Sequence, residues 1–352
     1  MTKQHLKTQV IKVSHLPTLK QLQSSEMQTL VIFDQILLKK PSLRAWLKQF
    51  DLQIAVKAGE TLKTLDMYAK VLSQIQNWQK IGIISKKLQF VAIGGGSVGD
   101  FVGFVASTYQ RGCPLIQIPS TWLSAIDSAH GGKTGLNLNG VKNQIGTFYL
   151  ADKVILSREL LLNQPEERLT EAFGEIIKIC LINKSNLLQK INYSEAFVWK
   201  HLEQFISGKT QVVEQDLYET TGLRQILNLG HTMGHVYESC LSLSHGRAVL
   251  MGLVFSLRWS YHLGYLNQKD LTKILQIIME IPECEFDLLT VNALSSKRVV
   301  QYLVQDKKIV SSRKEKTLNF IFILKPDLVF SQRKTVSEIV KEFERQKLAF
   351  AK

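Results

Sequence analysis

Short apolar runs alternate with amphipathic segments through the first 160 residues. A segment with apolar residues at helical spacing covers 61–78, and a glycine-rich turn precedes a second helical pattern that ends near residue 109. This alternation predicts a parallel sheet with helices on both faces. The apolar runs that have the length and composition of buried strands are 30–33, 52–56, 88–93, 115–118 and 154–156.

Helical periodicity dominates after about residue 160. Segments 166–182 and 248–265 carry apolar stripes typical of helices, and we expect a single strand in this half, at 318–324. The sequence therefore predicts two domains, an α/β domain over residues 1–160 and a mainly helical domain over 161–352.

Composition excludes several classes of protein. The chain has 352 residues, of which 45% are hydrophobic and 21% charged, so it can bury two cores and is not intrinsically disordered. We expect no membrane span, because no apolar run is long enough. We expect a cytoplasmic protein, because the first residues lack the apolar core of a secretory signal. The four cysteines are far apart and form no CxxC pair, so we expect reduced thiols.

The net charge of +14 raises the question of a polyanionic partner. Basic and acidic residues are mixed along the chain, and the sequence contains no zinc-finger, RNP-like or basic-zipper pattern. We therefore expect no nucleic-acid partner, and attribute the charge to a basic surface and anionic small molecules.

A glycine-rich turn, Gly94–Gly99, follows the third predicted strand with the spacing GxGxxG. Such glycines let the backbone approach a pyrophosphate at the positive end of the next helix. The pattern favours a dinucleotide cofactor, although a simple tight turn between strand and helix has the same sequence.

A second cluster of polar residues runs from Asp127 to Gly135 and continues with Lys142 and Asn143. Lysine and amide groups in a glycine-bearing loop suit an oxyanion such as phosphate. Composition alone is more typical of a solvated surface loop, so both interpretations stay open.

Three histidines, His231, His235 and His245, lie close together in the sequence. The first two are four residues apart and share one face of a helix, and His245 can approach from the next helix. Neutral imidazoles with a carboxylate such as Glu175 suit Zn²⁺, and Lys178 lies one turn beyond Glu175. Histidine pairs are also common structural elements, so spacing alone does not decide.

Taken together, these segments resemble the 3-dehydroquinate synthase family from about residue 56 to residue 308. No single motif is specific, and the resemblance rests on their order. The matching blocks are Gly59-Glu60-x-x-Lys63, Gly94–Asp100, Tyr109-x-Arg111-Gly112, Pro119-Ser120-Thr121, Asp127–Gly135, Lys142-Asn143-x-Ile145-Gly146, Glu175-x-x-Lys178, Arg224-x-x-x-Asn228, His231-x-x-x-His235, His245-Gly246 and Asp306-Lys307-Lys308.

The resemblance implies a Rossmann-like NAD-binding α/β domain followed by a mainly α-helical metal and substrate domain. It implies a cytosolic, usually dimeric enzyme of the shikimate pathway that uses NAD⁺ and one Zn²⁺ or Co²⁺. Such an enzyme converts 3-deoxy-D-arabino-heptulosonate 7-phosphate to 3-dehydroquinate and phosphate. The reaction proceeds by transient oxidation, phosphate elimination, re-reduction, ring opening and aldol closure.

Matching positions also imply the site residues. Glu175, His231 and His245 would hold the metal, and His235 would act near the leaving phosphate, which corrects the pairing of His231 with His235 that spacing suggests. The residues implied to bind the cofactor are Asp34, Gly59, Glu60, Lys63, Gly95, Gly96, Ser97, Val98, Gly99, Asp100, Ser120, Thr121, Asp127, Lys133, Lys142, Leu160 and Asn163.

The remaining implied residues bind substrate. The phosphate clamp would comprise Lys133, Asn143, Lys178, His235 and the partner subunit's Arg111. The carboxylate and hydroxyls would be held by Lys209, Arg224, Asn228, Asp127 and one of Lys307 or Lys308.

Four features depart from the family pattern. Arg247 replaces the usual glutamate after His245-Gly246, and a guanidinium cannot accept a hydrogen bond from a metal-bound imidazole. We therefore hypothesise weaker metal binding or a substituted acceptor, such as Glu238. The other departures are His130, the segment 216–219 with about one extra residue before Arg224, which weakens the placement of Lys209, and the absence of threonines at 160–163.

Three other functions compete. Another sugar phosphate cyclase would share the fold and cofactors, although the intact block 131–135 favours the dehydroquinate branch. A metal-dependent alcohol or glycerol dehydrogenase would need no phosphate clamp and would release NADH. A degenerate paralogue would bind ligand without turnover.

Overall fold

The structure is a computed structural model that describes residues 7–22, 26–183, 186–305, 310–311 and 316–350. The chain divides into two compact units, the first ending at Pro165 and the second beginning at Glu166. The boundary predicted from the sequence falls within a short helix, Arg158–Leu161, that belongs to the first unit.

A six-stranded sheet organises the first unit. The strands of this unit are β1 (Gln9–Val13), β2 (Met27–Asp34), β3 (Leu52–Val56), β4 (Lys87–Gly94), β5 (Leu115–Pro119), β6 (Lys133–Leu138), β7 (Val141–Phe148) and β8 (Lys153–Ser157). The sheet has the order β1-β8-β5-β4-β2-β3, and its neighbouring strands are parallel. All five strands predicted from apolar runs are confirmed, whereas the half-buried edge strand β1 was not predicted.

The helices of the first unit are α1 (Leu19–Leu22), α2 (Pro41–Leu47), α3 (Leu65–Lys80), α4 (Gly96–Thr108), α5 (Trp122–Ile126) and α6 (Arg158–Leu161). Helix α3 begins four residues later than predicted, because Thr64 is extended and its hydroxyl accepts a hydrogen bond from the Met67 amide at 3.2 Å. Apolar side chains from the sheet and from α2 form one core, which includes Trp46, Ile93 and Ile118.

Strands β6 and β7 form an antiparallel hairpin, so the last three residues of the loop predicted over 127–135 belong to a strand. Its two-residue turn is Asn139-Gly140, and both residues have positive φ, as this type of turn requires. Glycines misled the prediction because they serve strand pairing: a Cβ on Gly135 or Gly146 would lie 2.6 Å from a carbonyl oxygen of the opposite strand.

Eight α-helices and a small sheet form most of the described part of the second unit. They are α7 (Glu166–Ile182), α8 (Glu195–Gln215), α9 (His231–Leu241), α10 (His245–His262), α11 (Gln268–Met279), α12 (Cys284–Asn292), α13 (Ser296–Gln305), β9 (Val310–Ser311), β10 (Lys316–Lys325), β11 (Leu328–Thr335) and α14 (Val336–Phe350). Helix α7 has the predicted bounds, whereas α10 begins and ends three residues before the predicted 248–265.

The prediction of one strand in this unit is wrong, because β10 pairs with both β9 and β11 in an antiparallel sheet. Strand β11 carries five polar residues in succession, Ser331 to Thr335, which hid it from a search for apolar runs. Its Phe330 ring nevertheless packs on Phe322 of β10, at a centroid distance of 5.7 Å.

The four cysteines are buried free thiols, as predicted. In the described part of the chain, no helix is both long and apolar enough to cross a membrane.

Candidate active site

Three potential metal ligands converge in the second unit from three helices. Glu175 comes from α7, His231 from the first turn of α9 and His245 from the first turn of α10. The Nε2 atoms of both histidines lie 3.4 Å from Oε1 of Glu175, and one ligand atom from each residue lies within 4.8 Å of the others. This is the set that family resemblance implied, and His235 is not part of it.

Hydrogen bonds orient both imidazoles of this cluster. Nδ1 of His231 lies 3.2 Å from the carbonyl oxygen of Leu229, and Nδ1 of His245 lies 3.2 Å from Oε2 of Glu238. An acceptor at Nδ1 places the ring proton there and leaves the Nε2 lone pair facing Glu175. The geometry therefore supports the alternative that Glu238, and not residue 247, accepts the hydrogen bond from the His245 ring.

Glycines let the three helices approach closely enough for the cluster to form. A Cβ on Gly246 would lie 1.7 Å from the carbonyl oxygen of Glu171 in α7. A Cβ on Gly252 would lie 1.9 Å from the carbonyl oxygen of Gly230, immediately before α9. Sequence reasoning missed these roles, although Gly246 directly follows a predicted ligand.

Lys178 lies against Glu175 in an ion pair inside the protein, and the side chain of Lys178 is only 3% exposed. Burial raises the pKa of the Glu175 carboxyl, but Lys178 and His245 outweigh burial and hold that pKa below its usual range. Burial lowers the pKa of His245, but Glu175 and Glu238 outweigh it and raise that pKa to about 10.

Arg247 points its charge at helix α12 and not at the imidazole of His245. Its Nε and Nη2 donate to the two carboxylate oxygens of Asp287 at 2.8 and 2.6 Å. Its Nη1 lies 2.6 Å from Oε2 of Glu283. Two carboxylates thus compensate the positive charge that the sequence places beside His245.

The residues of this unit that were predicted to hold substrate differ in their burial and in their contacts. The His235 ring centroid lies 5.5 Å from that of His231. Arg224 is buried, and its Nη1 donates to the Leu217 carbonyl oxygen at 2.9 Å. Asn228 is half-buried at the end of the 3-10 helix Leu223–Asn228, and Lys209 is buried on α8. Lys307 and Lys308 lie outside the described residues.

The segment with an extra residue before Arg224 is organised by Asp216, which sequence reasoning named only as part of a departure. Its Oδ1 accepts from the Thr220 and Thr221 amides at 2.8 and 3.1 Å, and its Oδ2 accepts from the Arg224 amide at 3.1 Å. Glu219, within this segment, has a left-handed φ of 57°.

In the first unit, the glycine-rich turn joins β4 to α4. Gly95 precedes the helix and offers no side-chain cap, so the first amides of α4 lack the capping acceptor that occupies many helix starts. A Cβ on Gly96 would lie 3.0 Å from Oγ of Ser128, and one on Gly99 would lie 2.9 Å from Oε1 of Gln117. Close packing therefore explains the glycines at positions 96 and 99. The uncapped amides at the start of α4 can still bind an anion.

Lys63 forms the centre of a polar network beside this turn. Its side chain is 3% exposed, and its Nζ donates to Oδ2 of Asp100 at 2.6 Å and to Oδ1 of Asn143 at 2.5 Å. Oγ of Ser97 accepts from the Gly59 amide at 2.9 Å. Residues predicted separately for cofactor and phosphate thus belong to one network.

The other predicted residues of this unit are distributed around the sheet. Asp34 ends β2 and accepts from the Ile36 amide at 3.2 Å, and Thr121 caps α5 by accepting from the Ser124 amide. Arg111 is exposed with a φ of 68°. Leu160 packs in the core, which leaves only its main chain for a cofactor. The remainder are the buried Ser120 and Val98, the half-buried Asp127, and the exposed Glu60, Lys133, Lys142 and Asn163.

Two family models cover most of the chain. The model of the 3-dehydroquinate synthase N-terminal domain matches residues 53–171, and that of the 3-dehydroquinate synthase C-terminal domain matches residues 172–309. The chain belongs to the 3-dehydroquinate synthase family. A 3-dehydroquinate synthase from Pyrobaculum aerophilum is 32% identical over 301 residues, which cover 83% of this chain and 84% of the relative.

Solved structures of related cyclases share the fold. A 2-deoxy-scyllo-inosose synthase complexed with carbaglucose-6-phosphate, NAD⁺ and Co²⁺ has a TM-score of 0.81 at 21% identity, covering 96% of each chain. A 2-epi-5-epi-valiolone synthase from Streptomyces hygroscopicus, with NAD⁺ and Zn²⁺ bound, has a TM-score of 0.79 at 19% identity, covering 97% of each chain. At these identities the likeness is one of fold, which confirms the predicted fold class.

Proposed function

We propose that this chain is a 3-dehydroquinate synthase. It would convert 3-deoxy-D-arabino-heptulosonate 7-phosphate to 3-dehydroquinate and phosphate. The observation that carries the proposal is the convergence of Glu175, His231 and His245 beside Lys178, in a chain matched by both family models.

The donor set fits a divalent metal ion. The fully buried carboxylate of Glu175 lies against the Lys178 ammonium, and the Nε2 atoms of two oriented imidazoles lie 3.4 Å from its Oε1. One carboxylate and two imidazoles leave room for substrate in the coordination sphere, as catalytic zinc sites do. A bound Zn²⁺ or Co²⁺ would polarise a substrate hydroxyl and lower its pKa. The two neighbouring cyclases were solved with Co²⁺ and with Zn²⁺.

The first unit would bind NAD⁺ at the turn between β4 and α4. The uncapped amides of α4 would receive the pyrophosphate, and the network of Lys63 and Asp100 lies beside them. NAD⁺ would supply a hydride acceptor that is restored within each turnover. Both neighbouring cyclases were solved with NAD⁺.

The chain's own cations would bind and orient the substrate phosphate. Lys178 is held by Glu175, so its ammonium is fixed in position before substrate arrives. We assign the same clamp to Lys133, Asn143, His235 and the partner subunit's Arg111, which makes the proposed enzyme a homodimer. Fixed donors around a leaving phosphate stabilise the charge that develops on it.

The rest of the substrate would be held by polar groups that the fold keeps in place. The proposed set is Lys209, Arg224, Asn228, Asp127 and one of Lys307 or Lys308. The Leu217 carbonyl oxygen accepts from Nη1 of the buried Arg224, which limits the rotamers of its guanidinium, and Asp216 holds the Arg224 main-chain amide. Holding a flexible open-chain sugar in one conformer would contribute a large share of the rate enhancement of the proposed reaction. We place the reaction in the cytoplasm, without a nucleic-acid or membrane partner.

Identification of the product tests the proposal against its rivals. The protein is incubated with NAD⁺, Co²⁺ and either the heptulosonate phosphate or a hexose 6-phosphate, and the carbocycle formed is identified by NMR. We expect 3-dehydroquinate from the first substrate and no carbocycle from the second. Product from the hexose phosphate would assign the chain to another cyclase, and accumulating NADH would assign it to the dehydrogenases.

A further inference from the structure

The side chain of Asn137, near the end of strand β6, bridges two segments of the first unit. Its Nδ2 donates to Oε2 of Glu60 at 2.7 Å, and its Oδ1 accepts from the main-chain amide of Asn143 at 2.9 Å. Its own main-chain amide donates to the Lys63 carbonyl oxygen at 2.7 Å. One residue thus links the segment before α3 to the start of β7.

The chemistry of the two partners fixes the orientation of the Asn137 amide. The Asn143 N–H needs an acceptor and the Glu60 carboxylate needs a donor, so only one of the two amide orientations satisfies both. A carboxylate or an apolar side chain of similar size at residue 137 would satisfy one partner or neither. The bridge therefore requires an amide specifically.

The bridge ends on the main-chain amide of Asn143, whose backbone is left-handed. Its φ is 54°, a left-handed value that costs energy for a residue with a side chain, and the Asn137 hydrogen bond holds that amide. In this conformation Oδ1 of Asn143 meets the ammonium of Lys63 at 2.5 Å. An ammonium only donates, so the oxygen of Asn143 faces Lys63 and its Nδ2 is directed elsewhere as a donor.

We propose that Asn137 is a positioning residue that sets Glu60 for the cofactor and Asn143 for the substrate phosphate. This inference rests on the proposed function, which places Glu60 in the cofactor site and Asn143 in the phosphate clamp. Asn137 touches neither ligand in this account and acts through its two hydrogen bonds.

A purely structural role for Asn137 makes a different prediction. The hairpin is already held by its β6–β7 ladder and by the Asn139-Gly140 turn, neither of which uses the Asn137 side chain. If the side chain only stabilised the hairpin, every substitution would lower the melting temperature and affect both ligands alike. A positioning role instead separates the two ligands according to which hydrogen bond is lost.

The test compares Asn137→Asp with Asn137→Leu. Aspartate still accepts a hydrogen bond from the Asn143 N–H but repels Glu60. We therefore expect the NAD⁺ dissociation constant to rise about tenfold, which corresponds to the loss of about one hydrogen bond. The KM for the heptulosonate phosphate should stay within about twofold of the wild-type value. Leucine loses both bonds, so we expect both constants to rise about tenfold. Calorimetry gives the first constant without turnover.

Two further variants complete the design. Glu60→Gln removes the charge that an aspartate at position 137 would repel. In a double-mutant cycle, adding Asn137→Asp to Glu60→Gln should therefore cause no further loss of NAD⁺ affinity. Asn139→Gly, in the turn of the same hairpin, keeps the left-handed conformation and should match the wild type.

The inference is overturned if Asn137→Asp and Asn137→Leu change both constants equally, or if neither differs from Asn139→Gly. Failure of the proposed function is recognised from the wild type alone, as absence of NAD⁺ binding and of phosphate release, and it would overturn this inference with it.

Discussion

At the scale of single residues, Arg247 shows how a departure from a family pattern can be compensated nearby. The sequence suggested that its charge weakens metal binding, because a guanidinium cannot accept a hydrogen bond from a ligand histidine. The structure pairs Arg247 with Asp287 and Glu283 and gives His245 the acceptor Glu238. Side-chain partners from α12 could not be read from the sequence, since forty residues separate Arg247 from Asp287.

Replacing Arg247 with glutamate, the usual residue of the family, should therefore harm this protein. The change would place a third carboxylate beside Asp287, which is only 2% exposed, and beside Glu283. We expect a loss of about 3 kcal/mol in the free energy of unfolding, the cost of breaking a buried ion pair, measured by urea denaturation. The charge-swapped Arg247→Glu/Asp287→Arg variant should recover part of it. Unchanged stability with tighter metal binding would restore the original hypothesis.

Glu238 is expected to support the metal through His245. Glu238→Gln removes the charged acceptor at Nδ1, so metal affinity should fall by about 10- to 100-fold, as for other partners of ligand histidines. Competition with a chromophoric chelator measures the affinity, and Ser239→Ala, at the exposed neighbouring position, is the control. Equal affinity in Glu238→Gln and wild type would remove this role.

At the scale of secondary-structure elements, the predictable parts are those with a strong apolar period. The buried strands β2, β3, β4, β5 and β8 and helix α7 follow directly from apolar runs and stripes. The hairpin β6–β7 and strand β11 were missed, because polar and glycine residues dominate them. Their pairing depends on partners elsewhere in the chain, which a local pattern does not contain.

Close packing of α7 against α10 should be sensitive to one methyl group. Gly246→Ala would bring a Cβ within 1.7 Å of a main-chain oxygen of α7, so the helices must separate. We expect a loss of about 3 kcal/mol in unfolding free energy, near the upper end for overpacking, together with loss of bound metal. Metal content by mass spectrometry and denaturant unfolding would report both.

Gly208→Ala is the matched control for this substitution. A Cβ at Gly208 would meet the side chains of Asn183 and Ile179 at 2.8 Å, which can move more easily than backbone. Its metal content should equal that of the wild type. Full metal occupancy in Gly246→Ala would show that the helix spacing does not control the cluster.

The connection between α8 and α9 should weaken in acid because of Asp216. Burial raises the pKa of this carboxyl, but main-chain amides of Thr221, Arg224 and Thr220 outweigh it and lower the pKa from 3.8 to about 2. A carboxyl whose pKa is lower in the folded than in the unfolded protein stabilises the fold at pH values above its unfolded pKa. This stabilisation is lost as the pH falls toward 2. Asp216→Asn should therefore have a lower free energy of unfolding than the wild type at pH 7. The difference between the two free energies should become smaller below pH 4. A difference independent of pH would contradict this account.

At the scale of the whole molecule, the two compact units carry different parts of the proposed chemistry. The first contains the glycine turn and the Lys63 network, and the second contains the cluster of Glu175, His231 and His245. Motif order in the sequence identified the family, and the family models match residues in both units. The supporting residues Asn137, Asp216 and Gly246 required the structure, because their roles are contacts and not motifs.

Phosphate release from 3-deoxy-D-arabino-heptulosonate 7-phosphate, with NAD⁺ and Zn²⁺ or Co²⁺, before and after a chelator, is the decisive measurement for the proposed synthase activity. The account predicts many phosphates released per NAD⁺, no net NADH at 340 nm, and loss of release on chelation that added metal reverses. No release from a folded, metal-loaded protein would contradict the account.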